Sequence, residues 1–252
     1  MSKNSKATAR AQKAAELRAA QAKKEQQRRI LTIGGVILAM VLIVGGAVGI
    51  SLWQKNKDEA KLADAASSAS EYGLVIGEDD APHSVVIYED FLCPFCGALE
   101  RETSKKLTEL AAEGKVQVEY RPFDLLSGSY GDYPIRATNA MAVVLEASGA
   151  DIAKRFHDLL FENQPSEQAV SQNPDFVSDD DLVELAVEAG AVEAEVRPGI
   201  EGLSQKAWVD GATEAAADAG VQGTPTIILD GDVFEDGRTV QDLAANLIDA
   251  VD

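Results

Sequence analysis

The two cysteines of the chain, Cys93 and Cys96, stand in the stretch Cys93-Pro94-Phe95-Cys96 and are its only thiols. A thiolate, not a thiol, attacks a disulfide. A free cysteine with a pKa of ~8.5 is only a few per cent ionised at neutral pH, so the chemistry depends on where the sulfur sits. Here the stretch follows the apolar run at 85–88 and precedes a segment with helical spacing, which sets Cys93 at a helix N-terminus. There, unsatisfied N–H groups and the positive end of the helix dipole favour the anion. Pro94 suits the first helical position because it has no N–H to leave unpaired. Two intervening residues put Cys96 one turn further on, close enough to form a disulfide. The spacing therefore predicts Cys93 as the exposed nucleophile and Cys96 as the more buried resolving thiol. Their redox-active disulfide serves as the working group, and no separate cofactor or metal is expected.

Other chemistries use the same pair. It could be half of a zinc site, a copper-delivering dithiol or an inert structural disulfide. A structural zinc site needs four ligands. The remaining candidates are His83, His157 and carboxylates, with no metal-like spacing between them. A loop this short yields little chain-entropy gain from an inert cross-link. His83 is expected at a turn or strand edge. His157 is expected on a helix at its surface boundary, outside the chemistry.

The elements that must hold the pair follow from periodicity. Residues 74–76 form a short strand, and 85–88 form a strand buried on both faces. A helix runs to about 112, with Leu99, Thr103, Leu107 and Leu110 on one face. Val116, Val118 and Tyr120 alternate as the next strand. Strand, helix and strand in this order predict a parallel βαβ unit. From about 130 to 219 the pattern is helical: a segment at 135–147, another marked by Ile152, Phe156, Leu159 and Leu160, and one started by a capping box at Ser178 and Asp181. A weak turn interrupted by Pro198 comes next, then a helix facing inward with Trp208, Ala212, Ala215 and Ala219. Residues 164–175 read as a loop. A strand at 226–229, an Asp230-Gly231 hairpin turn, a returning strand at 232–235 and a helix at 239–251 close the chain.

Charge divides the chain into three blocks. Residues 1–29 carry nine Lys/Arg against two Asp/Glu, residues 30–53 carry none, and the remainder carries a net −26. The uncharged block is long enough to span a bilayer as a helix and longer than the apolar core of a cleavable signal peptide. The basic block before it predicts a cytoplasmic N-terminus and a body outside the membrane. The expected layout is a basic cytoplasmic tail (1–29), a transmembrane helix (30–53), a stalk (54–71) and an outer domain (72–252). The acidic body argues against nucleic acid as a partner.

Three segments together carry a resemblance: 85–96 (VVIYEDFLCPFC), the helical block, and 220–231 (GVQGTPTIILDG). With them the chain resembles the thioredoxin superfamily, and within it the DsbA-like disulfide oxidoreductases, over about 72–252. The resemblance implies an α/β thioredoxin-like fold with a helical insertion, here preceded by one transmembrane helix. It implies a cis peptide bond between Thr224 and Pro225, on a loop that lies against the cysteines and binds substrate backbone. It also implies exported protein substrates and a membrane redox partner such as a quinone-linked thiol oxidase.

Two departures from the family pattern stand out. Many members carry a buried carboxylate six residues before the first cysteine, where this chain has Ile87. Glu89 and Asp90 are the candidate proton acceptors in its place, Glu89 sharing a strand face with Ile87. Between the cysteines, Phe95 lends no charge or hydrogen bond to the thiolate. The expected function is disulfide formation in exported proteins at the cell membrane. The alternatives are a reductase or isomerase of extracytoplasmic disulfides, and a tethered metal-delivery or binding module.

Overall fold

The computed structural model describes residues 57, 59–67 and 69–252. The expected tail, the expected membrane span and the start of the expected stalk lie outside the described residues. Among the described residues, no helix is long and apolar enough to cross a membrane.

Five strands form one sheet: β1 (Leu74–Ile76), β2 (His83–Glu89), β3 (Val116–Pro122), β4 (Thr226–Leu229) and β5 (Asp232–Val233), in the spatial order β1-β3-β2-β4-β5. β2 and β3 are parallel and joined by helix α2 (Pro94–Ala112), the βαβ unit expected from the periodicity. β4 runs antiparallel to β2, with Tyr88 opposite Thr226. That register carries Thr224 and Pro225, just before β4, to the end of β2 from which Cys93 departs.

β2 is central and buried on both faces, which explains its unbroken apolar run. Val85 and Ile87 belong to a large core with Leu99, Leu107 and Leu110 of α2. Val86 and Tyr88 point the other way and pack with Phe123, Ala212, Ala216 and Leu62. Because side chains alternate along a strand, Glu89 falls on the α2 face together with Val85 and Ile87. The β4–β5 hairpin turns at Asp230 and Gly231, both with positive φ (51° and 91°), the backbone of a tight two-residue turn.

Where described, the segment expected as a stalk packs onto the body. Helix α1 (59–66) buries Leu62 in the second core. Arg121 donates to the Ala65 carbonyl at 2.8 Å, and the Ser70 N–H donates to Glu119 at 2.7 Å.

The helical insertion consists of α3 (Ser127–Tyr130), α4 (Tyr133–Ser148), α5 (Ala150–Glu162), α6 (Glu167–Gln172), α7 (Asp179–Ala189), α8 (Glu193–Glu201) and α9 (Lys206–Ala219). α10 (Val240–Val251) closes the chain against α2. The capping box at Ser178 and Asp181 is present, and Thr239 and Asp242 form a second one.

Four expectations need correction. The loop expected at 164–175 contains α6, started by a Ser166 cap whose side chain accepts from Ala169 N–H. α8 continues through Pro198 because Val196 and Ile200 are buried on either side of it, so packing outweighs the lost backbone bond. On α9 the buried stripe is Val209, Ala212, Ala216 and Ala219, not the stripe of Trp208 and Ala215. The returning strand ends at Val233, two residues short of the expected end.

Candidate active site

Cys93 is the N-cap of α2, with φ −68° and ψ 118°, and Pro94 occupies the first turn. The loop before it is tied down on all sides. The Cys93 N–H donates to the Asp90 carbonyl at 2.9 Å, and the Cys93 carbonyl accepts from Gly97 N–H at 3.1 Å. Both cysteines are free thiols, and Cys93, expected to be exposed, is buried at 5% exposure by the loop packed against it, with Cys96 at 1%. Phe95 is 63% exposed beside them, an apolar side chain held out at the mouth of the site.

The Thr224–Pro225 bond is cis. The Cys93 thiol donates to the Thr224 carbonyl at 3.3 Å, so the loop before β4 lies against the nucleophile. The Thr224 hydroxyl is buried without a partner. It is available to a thiolate, while the carbonyl serves the thiol.

The two sulfurs are driven apart electrically. The Cys96 thiol donates to Cys93 and lowers its pKa to about 6. Thr224 and the N–H groups of Phe95 and Cys96 add to this, and burial opposes it. Burial pushes Cys96 well above its usual value, and the charges of Cys93 and Glu89 push it further. The pair therefore holds one sulfur ready to ionise and one that resists ionising, as expected for a nucleophile and a resolving thiol.

Glu89 and Asp90 are both fully buried but do different things. Asp90 accepts from Leu92 N–H at 2.7 Å through one oxygen, and from Leu125 and Leu126 N–H at 2.8 and 3.0 Å through the other. Burial raises its pKa to about 6, with those three bonds opposing. Its lone pairs are spent on fastening the loop after β3 to the loop before Cys93, which makes it a scaffold group. Glu89 presents one oxygen to His157 Nε2 at 2.5 Å and leaves the other buried without a partner. Of the two, Glu89 is the one with an oxygen to spare for a proton.

Three residues of the site were missed from sequence. Gln164, between α5 and α6, donates from Nε2 to the carbonyls of both Phe91 and Cys93 at 2.9 Å. It approaches so closely that a Cβ on Gly97 would lie 2.2 Å from Gln164 Oε1. His157, expected at a surface boundary, is fully buried. Its place on the stripe of Ala153, Phe156 and Leu160 was the available signal, because a helix repeats at three and four residues. Glu100 is also buried, four residues beyond Cys96 and therefore on the same face of α2. Glu100, His157 and Asp158 each offer a ligand atom within 4.8 Å of the others. Lys154 Nζ already lies 2.5 Å from Asp158, so a cationic side chain occupies that position. His83, by contrast, sits at the start of β2, paired to Asp230 at 2.9 Å and away from the site.

Gln164→Ala is expected to lower the unfolding free energy by about 1–3 kcal/mol, the worth of two hydrogen bonds. Adding Gly97→Ala to that variant should cost much less than adding it to the wild type, because the clashing amide is gone and only the flexible Arg101 guanidinium, 3.1 Å from the new Cβ, has to give. Urea denaturation of the single and double variants checks the non-additivity.

A family model described as Thioredoxin matches residues 69–250. A Bacillus cereus protein named "Probable disulfide bond formation protein D" is 25% identical over 211 residues, covering 82% of this chain and 91% of its own. Among solved structures, the reduced disulfide bond oxidoreductase DsbG of Mycobacterium tuberculosis has a TM-score of 0.62 and 29% identity, covering 75% of this chain and 91% of that one. Oxidised DsbA of the same organism has a TM-score of 0.57 and 30% identity, covering 71% and 92%.

Proposed function

The chain belongs to the thioredoxin family, and from that premise we propose that it is a thiol:disulfide oxidoreductase that forms disulfide bonds in exported proteins through Cys93 and Cys96. The observation that carries this reading is the placement of the two thiols at the start of α2, with the cis Thr224–Pro225 loop against Cys93 at 3.3 Å. A substrate thiolate attacks Cys93 of the oxidised pair and forms a mixed disulfide, and Cys96 leaves. A second substrate thiol then displaces Cys93, which leaves as a thiolate of low basicity. Thr224 and Pro225 flank the nucleophile and offer backbone to an extended substrate, with Phe95 as an apolar contact. Glu89, with one buried carboxylate oxygen unpartnered and its charge felt at Cys96, is assigned as the acceptor of the Cys96 proton.

The setting belongs to the same proposal. Residues 30–53 anchor the chain, residues 1–29 stay cytoplasmic, and the body works outside, where disulfides persist. The uncharged run and the basic flank before it support this topology. A redox partner must reoxidise the pair, and a membrane thiol oxidase that passes electrons to quinone suits an enzyme tethered at the bilayer.

Oxidised full-length protein should restore activity to reduced, unfolded ribonuclease faster than glutathione buffer alone. Refolding no faster than in buffer would remove the assignment.

A further inference from the structure

Disulfide formation leaves Cys96 with a charge it cannot keep. When substrate sulfur bonds to Cys93, the Cys93–Cys96 bond breaks and its electron pair goes to Cys96 Sγ. That sulfur is 1% exposed, and both burial and the negative charge of Glu89 work against its ionisation, so the new thiolate must gain a proton as it forms. Cys93, by contrast, leaves later as a stable thiolate. One complete oxidation of a substrate dithiolate therefore moves two electrons and one proton onto the protein, and the proton needs a source. The substrate face is a poor one, since there Cys93 is covered by the substrate itself.

A chain of buried polar groups leads away on the other side. Glu89 meets His157 Nε2 at 2.5 Å. His157 Nδ1 faces Asp158, and Glu100 completes a trio with ligand atoms within 4.8 Å of one another. Glu100 is 3% exposed and neither of its carboxylate oxygens has a hydrogen-bond partner. It lies one helical turn from Cys96 on the same face of α2. Beyond it opens a cavity of about 520 Å³, lined by Glu100, Ser104, Asp158 and Phe161 among others. The cleft beside Phe95 and Pro225 shares no lining residue with it.

We propose that Glu100 and His157 form, with Glu89, a proton reservoir that protonates Cys96 as it leaves, refilled from the cavity between α2 and α5 and not from the substrate face. The assignment rests on the exchange reaction proposed above and names where its proton comes from. In the step, the His157 proton passes through Glu89 to Cys96 Sγ, Glu100 replaces it on His157, and the cavity returns a proton to Glu100.

The surroundings put protons on the right groups. Facing Glu100 are Glu89 from β2, the Tyr120 hydroxyl from β3, and Lys154, His157 and Asp158 from α5. Burial, helped by Glu89, raises Glu100 to about 8, so it is mostly neutral at pH 7. Burial lowers His157, but Glu89 and Asp158 outweigh it and hold the ring at about 9, charged at pH 7. Asp158 keeps its charge beside Lys154 and His157, and is no donor.

The test follows the first step alone. Oxidised full-length protein is mixed rapidly with excess reduced glutathione, quenched with acid, and scored for the Cys93 mixed disulfide. Corrected for the glutathione thiolate fraction, the wild-type rate should fall as pH rises through about 8 to 9 and show a solvent deuterium isotope effect. Glu100→Gln, nearly the same shape, should slow the step at pH 7 by about tenfold or more. It should flatten the fall with pH and leave the ionisation of Cys93 in place. His157→Gln should do the same. A wild-type rate flat to pH 9 without an isotope effect overturns the proposal even if the variants fail to fold, as does a Glu100→Gln profile identical to wild type. Failure of the wild type to form any mixed disulfide strikes the exchange reaction itself, and is seen separately.

Discussion

Replacing Cys96 with serine should leave the protein covalently joined to whatever it attacks, whereas replacing Cys93 with serine should abolish exchange altogether. Cys93 sits at the tip of α2 with the lowered pKa, and Cys96 lies beneath it at 1% exposure. In Cys96→Ser, Cys93 still attacks a disulfide such as oxidised glutathione, but nothing resolves the product. The mixed disulfide should accumulate to nearly one per chain and persist until a reductant is added. In Cys93→Ser the remaining thiol is buried and resists ionising, so neither an adduct nor ribonuclease reactivation above buffer should appear. Both outcomes are read from intact mass under non-reducing conditions. An adduct on Cys96 in the Cys93→Ser protein would reverse the assigned roles.

The placement of the pair was legible because it depends on local rules. A strand, a helix start and a two-residue spacing are all adjacent in sequence, so Cys93, Pro94 and Cys96 could be placed without tertiary knowledge. The βαβ unit and the hairpin at Asp230 and Gly231 were readable for the same reason. Thr224 and Pro225 became readable through family resemblance, since no periodicity brings them to a cysteine more than a hundred residues earlier. Gln164 shows what such reasoning lacks. An amide in a Pro-containing loop has no pattern to distinguish it, yet the turn after α5 brings it onto two carbonyls of the active-site loop. Glu89 and Asp90 illustrate a subtler limit. Both were named as acids near the cysteines, but only the surrounding loops decide that three N–H groups occupy Asp90 while Glu89 keeps one oxygen free. His157 was misplaced because a histidine was weighed by its type. The apolar stripe on which it sits carried the information.

The lowered pKa of Cys93 should make the pair more oxidising than thioredoxin, with a potential above about −270 mV and below the roughly −120 mV of DsbA. Cys93 ionises at about 6 in the folded protein, against ~8.5 for a free cysteine. Because the folded value is the lower one, the thiolate stabilises the reduced native state. That stabilisation is complete above pH ~8.5 and is lost as the pH falls through about 6. At pH 7 it amounts to about 1.4 kcal/mol. The oxidised form has no thiolate and gains nothing, so the stabilisation favours the reduced protein and makes the disulfide a better electron acceptor. Phe95 contributes no charge to this, which is why the potential should stop short of the most oxidising members. Equilibration in glutathione buffers at pH 7, followed by alkylation, gives the potential, and the alkylation rate of Cys93 against pH should have its midpoint near 6. A potential at or below about −270 mV would turn the enzyme toward reduction, because the disulfide would then accept electrons too weakly to draw them from a substrate dithiol.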